Sequence, residues 1–175
     1  MLSLRPYKSC DAAVILNWCN DELTFRKWTG DRYDKFPITE TDLNEKYFDC
    51  NGDCSESDNF YPFTVLDGSE IIGHFILRYV DDSKKVLRIG FVILDDKKRG
   101  KGYGTEMIKL AVRYCFEIYG AEKITIGVFE NNISAYKCYK KAGFSESVAD
   151  ENFYAEVCGE KWKIIELELE RCKRF

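Results

Sequence analysis

One stretch limits what this chain can fold into more than any other: Arg99-Gly100-Lys101-Gly102-Tyr103-Gly104-Thr105. Before it, Val86–Leu94 (VLRIGFVIL) is apolar and β-branched enough for a largely buried strand, and Asp95-Asp96 closes it as a turn. After it, Met107, Leu110, Ala111, Tyr114, Cys115 and Ile118 recur at three- and four-residue steps, the pattern of a helix with one stripe on a core. A glycine near a helix start costs roughly 1 kcal/mol relative to alanine, so three alternating glycines imply that something approaches the backbone closely. Free N–H groups at a helix N-terminus, with the positive end of the dipole behind them, suit an anion such as a pyrophosphate. Arg99 and Lys101 can add charge-assisted hydrogen bonds, worth roughly 1.5–3 kcal/mol each before desolvation. The alternative is a glycine-rich turn with solvated cations. Two nucleotide motifs are excluded by spacing. Lys101 lies between glycines and Thr105 comes too late for a P-loop, and Gly100-x-Gly102-x-Gly104 is not the dinucleotide fingerprint.

A second segment adds to the first. After the strand pattern Lys123-Ile124-Thr125-Ile126-Gly127, residues 128–144 read as a capped helix that closes on Gly143. Arg99, Gly102 and Gly104 match Arg/Gln-x-x-Gly-x-Gly/Ala, and Asn132, Ala135, Tyr139, Gly143 and Phe144 match Asn-x-x-Ala-x-x-x-Tyr-x-x-x-Gly-Phe. With both motifs in this order, the chain resembles the GNAT superfamily of acyl-CoA-dependent N-acetyltransferases, most closely between Val86 and Phe144. Leu4-Arg5-Pro6-Tyr7 and Ile72-Gly73-His74-Phe75 also resemble the branch that includes the ribosomal-protein N-terminal acetyltransferases.

The resemblance implies an α/β fold in a single domain over residues 1–175. Its mixed, mostly antiparallel sheet of about seven strands is flanked by helices and splayed between the fourth and fifth strands. It implies acetyl-CoA as co-substrate, with the pyrophosphate on Arg99, Gly100, Lys101, Gly102, Tyr103, Gly104 and Thr105. The pantetheine arm would pair with the backbone of Val92, Ile93 and Leu94. A neutral amine attacks the thioester carbonyl directly, a fourth-strand amide near Ile93 or Leu94 serves the oxyanion, and Tyr139 protonates the departing thiolate. Without the motif, Tyr139 reads as a packed helix residue. Asn132 is a helix cap, a CoA donor, or both. Where many relatives carry a glutamate, two residues before Gly90, this chain has Arg88, which cannot act as a base at neutral pH. Either water takes the amine's proton or His74 does, since its unperturbed pKa of about 6.5 suits the task; Arg88 is then available to an anionic part of the acceptor. A catalytically silent acyl-CoA-binding module is the competing class. The acceptor itself, a small amine or a protein N-terminus, is not legible.

Composition sets the remaining bounds. A chain of 175 residues, 45% of them hydrophobic, can bury one full core. A net charge of −4 gives no general basic field for nucleic acid and mildly favours a cationic acceptor. No stretch approaches the roughly 20 apolar residues of a membrane span, and the N-terminal residues lack the apolar run of a secretory signal, so the expectation is cytoplasmic. The eight cysteines are too few for a disulfide scaffold; most, including Cys10, Cys19, Cys115 and Cys138, read as small buried hydrophobes. Cys50 and Cys54 are the one close pair, and with a single histidine in the chain no zinc site is expected. Elsewhere the pattern predicts a strand at Ser3–Pro6 and helices at Asp11–Trp18, Asp21–Trp28 and, capped by Thr39, Leu43–Phe48. It also predicts a hairpin of Phe60–Leu66 with Glu70–Tyr79 about Asp67-Gly68, and an antiparallel pair of Phe153–Val157 with Trp162–Glu170 about Gly159.

Overall fold

The computed structural model describes residues 1–148 and 152–172. The chain begins with strand β1 (Leu2–Pro6) and three short helices, α1 (Asp11–Leu16), α2 (Glu22–Thr29) and α3 (Glu40–Asn44). Strands β2 (Tyr61–Asp67), β3 (Glu70–Tyr79) and β4 (Val86–Leu94) follow, then α4 (Tyr103–Glu117), β5 (Lys123–Phe129) and α5 (Ile133–Lys141). Strands β6 (Ser145–Glu146), β7 (Phe153–Val157) and β8 (Glu160–Glu170) complete the chain. They form one sheet in the order β1-β2-β3-β4-β5-β8-β6, with β7 also on β8. Among the described residues only β4 and β5 run parallel. Among the described residues, no helix is long and apolar enough to cross a membrane.

Each face of the sheet buries its own core. Under α4 and α5 the core is mainly aliphatic, with Val65, Ile72, Leu77, Leu87, Ile89, Met107, Ile108, Ile124 and Leu167 sealed from solvent. Under α1–α3 it is aromatic, built on Tyr7, Trp18, Phe25, Trp28, Tyr33, Tyr47 and Phe60. Side chains of a strand alternate between faces, and in β4 the alternation is reset midway. Leu87 and Ile89 point to the aliphatic side; so do Val92 and Leu94, while Ile93 joins the aromatic core. The cause is a bulge: His74 pairs with Ile93 and Ile76 with Gly90, so one β3 residue faces two in β4, and Phe91 takes φ 48°.

The expected splay is present. β4 pairs with β5 from Val86 to Ile89 only, and beyond that point Gly127–Phe129 stay with β8 while β4 continues with β3. A wedge opens between the strands and exposes one backbone edge of β4.

Several expectations need correction. Ile118 lies past the end of α4 and is 68% exposed, so the buried stripe ends at Cys115. Helix α1 stops at Leu16, although Trp18 remains in the core. The predicted Leu43–Phe48 helix is α3, started by a Thr39/Asp42 capping box and running into one π-helical turn over Glu45–Asp49. The sheet has an eighth strand, β6, whose two residues are too short to leave a pattern in the sequence. Of the cysteines only Cys115 is buried; Cys10, Cys50, Cys158 and Cys172 are exposed and all eight are free thiols. Cys10 sits in the turn before α1, where apolar periodicity has no meaning.

Candidate active site at the split between two strands

The wedge between β4 and β5 holds two cavities that share a wall. The larger, about 460 Å³, lies between the Arg99–Thr105 loop and α5. The smaller, about 160 Å³, lies on the opposite side, between α2, β3, β4, β5 and β8. Lys27, Trp28, Val92, Asn132 and Tyr139 line both. A group reaching in from one side therefore meets a group from the other at this shared wall, of which Tyr139 is part.

Local sequence builds the larger cavity. Gly100 and Gly102 take φ 75° and 91°, a region closed to most residues, and a Cβ at either would meet open space. Helices α2, α3 and α5 start on side-chain caps from Asp21, Thr39 and Asn132, but α4 starts on Gly102 with none. The first amides of α4 are left for an outside acceptor. Gly104 has a different reason: a Cβ there would lie 3.3 Å from Cys138 Sγ, so this glycine lets α4 and α5 approach. Among the described residues the lining carries Lys27, Arg99, Lys137 and Lys141 and no carboxylate. Arg99 folds back to donate to the Leu94 carbonyl at 3.1 Å, which ties the loop to the end of β4.

Of the sequence candidates, Val92, Ile93, Leu94, Arg99, Gly100, Gly102, Gly104, Thr105, Asn132 and Tyr139 all line the larger cavity. Lys101 and Tyr103 do not: Lys101 donates to the Lys97 carbonyl at 2.9 Å, and Tyr103 donates to Asp67 at 3.1 Å under the Lys98 ammonium. Asn132 caps α5 through a bond from the Ala135 amide at 3.4 Å. Tyr139 is 5% exposed, and burial pushes its hydroxyl well above the ordinary range, so it stays a proton donor throughout neutral pH.

Tertiary contacts build the smaller cavity. Trp28 projects from α2 and donates from Nε1 to the carbonyl of the bulged Phe91 at 2.9 Å, which fixes the helix to the kink in β4. Arg32 lies over the Phe91 ring at 4.9 Å. Arg88 is not free: it makes a two-pronged pair with Glu166 at 2.7 and 2.8 Å across β5. This fork passes over Gly127, where a Cβ would sit 2.6 Å from Arg88 Nη2. The sequence reading missed Trp28, Lys27, Arg32 and Arg78, because each reaches the cavity through the way α2 and β3 pack around β4 and not through local spacing.

His74 lies outside both linings. It is fully buried among Tyr7, Trp28 and Tyr47, and its Nε2 is 2.7 Å from the Tyr47 hydroxyl. Burial lowers its pKa to about 3. No aspartate, glutamate or histidine lines either cavity among the described residues.

Comparison with known proteins agrees with this geometry. Residues 1–145 match the family model described as an acetyltransferase (GNAT) domain. The chain is 27% identical over 100 residues to the spermine/spermidine N(1)-acetyltransferase of Bacillus subtilis (strain 168), a match covering 54% of this chain and 66% of that protein. It is 24% identical over 154 residues to the aminoglycoside N(6')-acetyltransferase type 1 of Klebsiella pneumoniae, covering 82% and 73%. In overall fold it is similar to the Vibrio cholerae spermidine N-acetyltransferase solved with CoA and spermine, with a TM-score of 0.78 and 22% identity over 98% of this chain and 96% of that one. It is also similar to AAC(6')-Ib solved with ribostamycin and coenzyme A, with a TM-score of 0.76 and 20% identity over 97% and 93%. With most of its length matched and the loop, split sheet and tyrosine in place, the chain belongs to the GNAT acetyltransferase domain family.

Proposed function

We propose that this protein transfers the acetyl group of acetyl-CoA to a primary amine by direct attack in a ternary complex. The observation that carries the reading is the meeting of two cavities at Tyr139, one walled by an uncapped, cation-flanked helix start and the other open to a second molecule. CoA lies in the larger, its pyrophosphate on the amides after Gly102 beside Arg99 and its arm along Val92–Leu94. The amine nitrogen, arriving through the smaller, bonds to the thioester carbonyl carbon; the carbon–sulfur bond breaks and Tyr139 gives the thiolate its proton. A β4 amide stabilises the oxyanion. The amine's own proton passes to water, since neither lining offers a carboxylate or imidazole among the described residues and His74 is sealed beneath Trp28 and Tyr47. Free thiols suit a reducing compartment, the cytoplasm.

The acceptor class extends from small amines, as in the polyamine and aminoglycoside relatives, to protein N-termini, as the likeness to the ribosomal-protein branch suggests. A catalytically silent acyl-CoA-binding module is the second reading, favoured by the absence of a base and by the engagement of Arg88 with Glu166. Thiol release from acetyl-CoA, followed with and without a panel of amines, separates them. Amine-dependent release with matching N-acetylated product is expected; CoA binding with no amine-dependent release selects the silent module.

A further inference from the structure

Although the chain carries a net charge of −4, the smaller cavity is lined by Lys27, Arg32, Arg78 and Arg88 and, among the described residues, by no acidic side chain. Arg78 and Arg88 stand directly opposite each other in the antiparallel β3–β4 register, an arrangement that destabilises a sheet. Glu166 compensates Arg88 alone. Among the described residues Arg78 makes no ion pair, and it is half-buried, so burial and the neighbouring Arg88 and Arg32 lower its pKa, offset in part by Cys54 and by Glu56 outside the cavity. Such a local conflict between sequence and stability marks a group kept for a ligand. A polycation would meet three or more like charges here, whereas a carboxylate or phosphate would meet planar guanidinium donors suited to it.

Resting on the acetyl-transfer reading, we propose that the acceptor is a small amine that also carries an anionic group, held by Arg78 and Arg32 while its amine faces Tyr139. The volume of about 160 Å³ suits a molecule of amino-acid size. The same cations favour the neutral form of the bound amine, because a nearby positive charge disfavours an ammonium. The cavity thereby eases loss of the amine's proton to water, with no base in either lining among the described residues.

The test compares kcat/KM of the full-length protein with acetyl-CoA and five amines: aspartate and phosphoethanolamine as the two anion types, butylamine, spermidine and kanamycin. An anion-bearing amine is expected to exceed butylamine by about 10-fold to 100-fold, the worth of one charged hydrogen bond, and to exceed spermidine by more. Arg78→Met should erase most of that preference through the KM of the anionic amine, with the acetyl-CoA KM changed by less than about twofold, and Arg78→Lys should restore part of it. Arg32→Gln, at a more open position, gives the same direction if Arg78→Met fails to fold. A preference for spermidine or kanamycin, or a preference for anions that survives both substitutions, overturns the proposal while leaving acetyl transfer standing. If no amine is acetylated, calorimetric binding of aspartate and phosphoethanolamine to the CoA-saturated protein decides: Arg78-dependent binding upholds the anion site although the transfer reading fails, and no binding overturns both.

Discussion

The two cavities that meet at Tyr139 are walled by different kinds of atom. The larger is framed by backbone: amides left open by an uncapped helix, two glycines at positive φ and the bare edge of β4. The smaller is framed by side chains from α2, β3, β4, β5 and β8. A backbone site accepts many side chains around it but needs particular residues where φ is restricted, so it writes a short local motif. A side-chain site can be rebuilt from any element that reaches it, which lets one fold keep its co-substrate while its acceptor varies.

That contrast can be broken by experiment. The largest effect is expected where the cavities join: Tyr139→Phe keeps the ring and deletes the donor, so kcat should fall about 10²–10⁴-fold where chemistry limits the rate, with melting temperature and CoA affinity little changed. Normal turnover together with altered thermal stability would reduce Tyr139 to a packing residue. Next, Gly102→Glu combines positive-φ strain of about 1–3 kcal/mol with a carboxylate at the anion site, and should weaken CoA binding roughly 10²–10³-fold by calorimetry. Unchanged affinity would remove the backbone cradle from the account. Arg99→Ala should cost about 1.5–3 kcal/mol of the same binding, and more at low salt than at high salt.

A stability effect should belong to neither cavity. His74 is neutral in the folded protein, with its pKa lowered to about 3 from 6.5. The unfolded chain therefore takes up a proton that the folded one refuses, and stability falls as pH drops from about 6.5 toward 3. Between pH 7 and pH 5 this amounts to about 2 kcal/mol, and in His74→Gln, which keeps a partner for Tyr47, the denaturation free energy should lose that part of its pH dependence. A bell-shaped rate profile that loses its acidic limb in His74→Gln would instead return the histidine to the reaction. The smallest effect is expected at Gly127→Ala. Its Cβ would displace the fork of Arg88 and Glu166, and the amine KM should rise about threefold, in line with one partly exposed ion pair, while the acetyl-CoA KM stays put. An equal rise in both constants would mean that the cavities are not independent.

Strands β3, β4 and β7 have the bounds their residue patterns predict; the predicted hairpin forms as well, but its first strand runs Tyr61–Asp67 and the turn falls on Gly68-Ser69. These segments are long or closed by turn residues, so period and punctuation coincide. The loop candidates divide. Gly100 and Gly102 have the conformation and exposure that the spacing implied, whereas Gly104 answers to Cys138 and Lys101 to the turn's own carbonyl. Glycine spacing reports that close approach occurs but not whether the neighbour is a ligand or another helix. His74 lies outside both linings for a related reason: a strand residue's face is set by register, and the bulges in β3 and β4 reset which side chains look toward the wedge.

What the sequence determined by itself is whatever one segment can fix alone: strand and helix periods, positive-φ glycines, and the cap at Asn132 that starts α5 toward Tyr139. Charge at the smaller cavity was decided only in the tertiary structure. The composition is acidic, yet folding sets Arg78 against Arg88, swings Arg32 over Phe91 and gives Arg88 to Glu166, a residue 78 positions away. Net charge is a sum over the chain, whereas a bound molecule feels only the charges within about a Debye length of it, and which charges those are is settled by packing.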